Sequence, residues 1–86
     1  MTDTQIKFIL EIIKKYDSHN YSEATGSSAD VWGGTTAWGY NLTYVPETKT
    51  YLWEDTEDIG GGFNPVASFQ LSEAEVIEKL RKINKY

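Results

Sequence analysis

At 86 residues the chain has room for one domain with a thin core, and residues 1–86 are expected to form it. Its 40% hydrophobic content is too high for a disordered polymer, and the lack of cysteine excludes disulfide staples, thiolate nucleophiles and cysteine-bound zinc. A net charge of −5 argues against direct binding to nucleic acid.

The first element is an amphipathic helix over residues 4–17. At 100° per residue Ile6, Ile9, Leu10, Ile12, Ile13 and Tyr16 share one arc, and Phe8 widens it. Lys7, Glu11 and Lys14 take the other side, and Thr2 or Thr4 can cap the start. The lysines within and after this run, with an acid before it, are the reverse of a secretory signal. No apolar stretch is long enough to span a membrane. The expected compartment is therefore cytoplasmic.

Residues 18–30 are small and polar and read as a loop, long enough to serve a function or to move. Residues 37–45 alternate, with Trp38, Tyr40, Leu42 and Tyr44 on one side. They read as a half-buried strand. Pro46-Glu47-Thr48-Lys49 is a turn, and residues 50–55 return as the second strand of a hairpin. The run Glu54-Asp55-Thr56-Glu57-Asp58, followed by Ile59 and three glycines, reads as a flexible acidic loop. Residues 66–71 give a third strand.

The final helix carries the strongest start signal. Ser72 and Glu75 form a capping box, Leu71 can staple onto Val76, and Val76, Ile77, Leu80 and Ile83 make an inward stripe. The expected fold is α+β with the order α-β-β-β-α. Its core is a three-stranded antiparallel sheet with both helices on one face. A hydrophobic pair at Val31-Trp32 offers a short fourth strand. Double-stranded RNA-binding domains share this order. However, the helix start Ser72-Glu73-Ala74-Glu75 repels phosphate where those domains use lysines.

Charge is unevenly spread. From Asp17 to Glu78 eleven acids face the single base Lys49, while residues 79–86 hold four bases and no acid. Acids keep a small domain soluble and lysines suit helix C-termini, so a purely structural reading exists. The functional reading is an anionic field offered to a basic partner.

Catalytic groupings are hard to assemble. His19 is the only histidine and sits in the polar segment, where a structural role is expected, and no serine lies in a nucleophile elbow. Glu54, Asp55, Glu57 and Asp58 would supply paired carboxylates or calcium ligands, but their spacing matches neither an EF-hand nor a fixed glycosidase pair. Gly60-Gly61-Gly62 fits no phosphate-binding pattern, being followed by Phe63-Asn64-Pro65. No enzyme, cofactor or metal site is expected.

The leading expectation is a protein-binding module, a small acidic inhibitor that covers a basic, nucleic-acid-binding surface of its target. Anti-CRISPR and anti-restriction proteins and the immunity proteins of toxins act in this way. That comparison is one of size, charge and logic, and no motif carries it. The expected partner-binding residues are Glu54, Asp55, Glu57 and Asp58, with Asp30, Glu47 and the ring anchors Trp32 and Trp53; Tyr21 is a further ring expected to stay exposed. The alternatives are a small-ligand or carbohydrate module using exposed Trp and Tyr, and a self-associating accessory subunit. The partner is expected to be a protein rather than nucleic acid or membrane, with the chain itself a monomer or homodimer.

Overall fold

The computed structural model describes residues 1–15, 19–29, 34–58 and 60–83. Helix α1 (Asp3–Lys15) is followed by β1 (Asn20–Ala29), β2 (Thr35–Val45), β3 (Thr50–Asp58), β4 (Asn64–Leu71) and helix α2 (Glu73–Arg81). The four strands form one antiparallel sheet in chain order, and both helices pack on one of its faces. This is the expected α+β architecture, with a fourth strand added. Among the described residues no helix is long and apolar enough to cross a membrane.

The helices start as their sequences dictate. Thr2 Oγ1 accepts from the Gln5 amide at 3.2 Å, while Gln5 Oε1 accepts from the Thr2 amide at 3.0 Å. Thr2, not Thr4, therefore caps α1, through a reciprocal box like the one Ser72 and Glu75 make at α2. Ile6, Ile9, Leu10 and Ile13 are buried beneath α1, and Val76 and Leu80 beneath α2. Phe8 points outward and is 64% exposed, so it does not widen the buried arc as expected. Tyr16 lies outside the described residues.

The two helices run side by side in opposite directions. Asp3 pairs with Arg81 at one end and Lys14 with Glu73 at the other. Glu73 also accepts the Tyr51 hydroxyl of β3 at 2.7 Å, so one carboxylate joins α1, α2 and the sheet.

The sheet departs from expectation in two places. The segment 18–30, read as a loop, contains β1 over residues 20–29. Its sequence lacks an apolar alternation, and its strand form comes from pairing with β2 along Asn20↔Thr43 to Ala29↔Thr35. The fourth strand is thus β1, while the expected site at Val31 lies outside the described residues. Second, β3 continues past the expected strand over 50–55 through Asp58, so the whole acidic run 54–58 is strand rather than a loop.

Two bulges coil this sheet. The β1 register slips between Ala24 and Gly26, leaving Thr25 as the extra residue, and β4 gains Val66 between Pro65 and Ala67. Pro65 is tolerated because β4 is an edge strand and the position abuts a bulge.

Cross-strand partners share a face. One side carries Tyr21–Leu42–Trp53–Phe69 and Tyr44–Tyr51–Leu71, which meet the helices. The other side carries Asn20–Thr43–Leu52–Gln70 and Ser22–Asn41–Glu54–Ser68 and bears no helix. Helix α1 has 13 residues, about 20 Å of rise. Strand β2 has 11, about 36 Å. The helices therefore cover the half of the sheet near the β2–β3 turn and leave the far half bare, which fits overall extents of 45 × 25 × 20 Å.

Gly39 is needed where β1 bends over β2. A Cβ there would lie 2.2 Å from the Glu23 carbonyl oxygen. Gly39→Ala is expected to destabilise the fold by about 1–3 kcal/mol, seen as a lower urea midpoint with an unchanged slope. Glu73 gives a second expectation. Its hydrogen bond from Lys14, then that from Tyr51, hold its carboxyl below the usual carboxylate range. The folded chain thus binds this proton less tightly than the unfolded chain. The resulting stability is complete above the ordinary carboxylate pKa and is lost as pH falls through the lowered one. Between neutrality and about pH 3, Glu73→Gln should lose less stability than the parent in urea titrations.

Candidate functional site

The bare end of the sheet holds most of the strand acids. On the helix side the last covered row is Glu23–Tyr40–Asp55–Ala67, where Tyr40 is buried, and beyond it lies Gly26–Trp38–Glu57. Trp38 rests on Gly26, where a Cβ would meet the indole Nε1 at 2.5 Å; the glycine makes room for the ring. The indole is 43% exposed, and its cross-strand neighbour Glu57 is exposed as well.

Behind it the rings are held firmly. Tyr40 stacks on Trp53 with centroids 4.6 Å apart and planes 13° from parallel. The Trp53 Nε1–H donates to Asp55 Oδ1 at 2.9 Å, and the Tyr40 hydroxyl donates to Glu23 Oε2 at 2.9 Å. Burial, reinforced by the bond to Glu23, pushes the Tyr40 hydroxyl pKa well above that of a free phenol, so it remains a donor at every physiological pH. Neutral donors thus orient Glu23 and Asp55.

The opposite face is a polar ladder. Asn41 Oδ1 accepts from Asn20 Nδ2 at 2.8 Å and from Ser22 Oγ at 2.6 Å, and Asn41 Nδ2 donates to Glu54 Oε1 at 2.9 Å. Farther along, Asp58 Oδ1 accepts from the amides of Gly60 at 2.8 Å and Gly62 at 3.1 Å. Both glycines have positive φ, 114° and 97°, which is why this turn needs them.

The expected binding residues are therefore divided. Asp55 and Glu57 face the helix side, and Glu54 and Asp58 the opposite side, because successive strand residues alternate. Glu47 sits in the β2–β3 turn, at the other end of the strands from Glu57 and Asp58, and does not join them. Asp30 and Trp32 lie outside the described residues. Trp53 is not an exposed anchor: at 3% exposure it belongs to the core, packed under the helices with a Lys79 ammonium 5.1 Å from its ring centroid. Tyr21, also expected to be exposed, is partly buried against the same core.

Among the described residues the exposed indole is instead Trp38, which parity places on the apolar side with Tyr40 and Leu42. Parity places all three on one face but carries no information on where the helices stop. Glu23, Ser22 and Asn41 were likewise passed over. The signal that was present is Gly39 following Trp38, a small residue inside an otherwise alternating strand.

Ion pairing is concentrated in the helical layer. Among the described residues the three ion pairs are Lys14–Glu73, Arg81–Asp3 and Lys82–Glu78, all between helix or helix-end residues. Glu54, Asp55, Glu57 and Asp58 take part in none of them. No group of three acidic or histidine side chains among the described residues is placed to hold a metal ion. His19 serves the fold, since its Nδ1–H donates to the Ile13 carbonyl at 2.7 Å and satisfies a group at the end of α1.

The two indoles should separate cleanly in denaturation experiments. Trp53→Ala is expected to cost about 3–5 kcal/mol, and Trp38→Ala about 1 kcal/mol or less, although both lie on the same face of the sheet. Comparison with known protein families, curated protein sequences and solved structures finds no match to this chain.

Proposed function

We propose that this chain is a non-enzymatic protein-binding module whose uncovered sheet end engages a basic surface on another protein. The observation that carries this reading is Trp38, half-exposed on Gly26 and facing Glu57, on the part of the sheet that neither helix covers. Large rings that are partly exposed and rimmed by charge are the usual anchors of protein interfaces. Asp55 accepts from the neutral Trp53 N–H and takes part in none of the ion pairs among the described residues, so its field reaches solvent and speeds association with a cationic partner.

The role that fits this surface is inhibition by occlusion. An acidic face of this kind competes with nucleic acid for a basic groove, as small anti-defence inhibitors such as anti-CRISPR and anti-restriction proteins do, and as immunity proteins do for their toxins. A cytoplasmic setting accords with such a role.

The test compares the parent chain with the double variant Asp55→Asn, Glu57→Lys and with Trp38→Ala as baits in the native host. The Asp55→Asn substitution retains an acceptor for the Trp53 indole, and circular dichroism checks that each bait is folded. The parent should capture a basic protein and displace nucleic acid from it. Both variants should capture at least about ten-fold less, and the parent's association should slow as salt rises. Equal capture by all three baits would overturn the proposal.

A second reading rests on β4. This edge strand and the residue before it expose Phe63, Val66 and Phe69, which suits pairing with another copy. Light scattering over a range of concentrations separates the two readings, since self-association through β4 predicts a dimer that dissociates on dilution.

A further inference from the structure

The uncovered face of the sheet contains a hollow of about 470 Å³ whose lining includes Ser22, Asn41, Glu54, Thr56, Phe63 and Pro65. None of the described residues lining it is basic, and the carboxylate it has from this face is Glu54; Glu23 and Tyr40 border it too, but their side chains belong to the helix-side rows. An anionic ligand is excluded on charge alone.

The hydrogen-bond polarity of the lining narrows the ligand further. Ser22 spends its hydroxyl proton on Asn41 Oδ1, and the same oxygen receives Asn20 Nδ2. With its oxygen so occupied, the Asn41 amide has one orientation, and its N–H group points at Glu54. The Ser22 hydroxyl proton and one N–H of the Asn41 amide are therefore committed within the protein. Among the described residues the Asn41 amide supplies the one hydrogen bond that Glu54 receives, leaving Oε2 as an oriented acceptor. A sugar ring needs donors as well as acceptors from its site. Apart from the Thr56 hydroxyl and the second Asn41 N–H, this lining offers acceptors, negative charge and the apolar groups of Phe63 and Pro65.

A planar, charged group with many N–H donors answers all three. We propose that this hollow receives a guanidinium group, with Glu54 accepting its N–H bonds and the Phe63 ring lying against its face. Carboxylate and aromatic face together are the usual environment of a bound arginine. An alkylammonium fits less well, because it has no flat face to lay on Phe63. The inference deepens the proposed function by naming an arginine side chain of the basic partner as the occupant. It concerns the face opposite Trp38 and Glu57, so the two can fail independently.

The test needs no partner. The isolated chain, labelled with ¹⁵N, is titrated with N-acetyl-arginine methylamide, with the citrulline and lysine counterparts and glucose as controls. Saturable shifts at millimolar ligand are expected at the Asn41 side-chain amide and at Phe63 with the arginine compound. Citrulline, which has the same shape without the charge, should give none, and lysine a weaker response. Glu54→Gln and, separately, Phe63→Ala should each weaken binding by about ten-fold or more. Phe63 is exposed, so its variant keeps the experiment decisive even if Glu54→Gln perturbs the fold. Absence of shifts, equal shifts with citrulline or lysine, or shifts with glucose instead would each overturn the assignment. Such a failure would leave the capture experiment on Trp38 and Glu57 untouched.

Discussion

The structure depends on a mismatch of length. A helix advances about 1.5 Å per residue and a strand about 3.3 Å, so helices of 13 and 9 residues cannot roof strands of 8 to 11. Among the described residues, all ten buried apolar side chains belong to the two helices and to the strand rows beneath them: Tyr40 and Leu42 of β2, Tyr51 and Trp53 of β3. Beyond Tyr40 the same alternation continues with no roof. Trp38 therefore meets solvent for the same geometric reason that Leu42 does not. Core and exposed surface are made by one strand pattern, and the end of the helical layer divides them.

The charge follows the same division. In the helical layer each ion pair between α1 and α2 ties elements together: Asp3–Arg81 and Lys14–Glu73 align the helices, and Tyr51 adds the sheet to the second pair. These pairs are exposed and individually weak, and their effect is registration more than stability. In the sheet, carboxylates are used differently. Asp55 satisfies the indole N–H of a buried tryptophan, and Glu23 the hydroxyl of a buried tyrosine. Each bond supplies the polar partner that a buried ring requires, at an edge where the carboxylate can still reach water. The acids thereby help to close the core and keep their charge.

Much of this was legible in the sequence, and the failures share a cause. Both helices follow from their apolar arcs, and α2 from its capping box, because those signals are local. The β2–β3 hairpin follows from alternation about Pro46. β1 was missed because Asn20–Ala29 carries Tyr21 as its sole large apolar residue. Its strand state is conferred by β2, and Gly26 is present to admit an indole twelve residues away in sequence. The acids 54–58 resembled a loop because carboxylates disfavour sheets in general. Here they lie in a strand paired on both sides, where alternate residues reach open faces. The choice between Trp38 and Trp53 as the exposed ring depended on where the helices end, which no residue pattern records.

Dividing the acids between two faces changes what the uncovered end can recognise. A loop bearing Glu54, Asp55, Glu57 and Asp58 would present a diffuse cloud of charge, adaptable and weakly selective. In a strand the same four residues become two separate surfaces. Asp55 and Glu57 lie beside an indole, while Glu54 is clamped by Asn41 in a hollow walled by Phe63. The clamp fixes the direction of the carboxylate before any ligand arrives, so little side-chain entropy is lost on binding. The indole is likewise seated by Gly26. Long-range attraction comes from the total charge and would serve many cations, whereas discrimination comes from the fixed groups. A partner of the kind proposed would have to match an aromatic anchor on one face and a planar cation on the other. The strand imposes that spacing, and a flexible loop of identical composition would not.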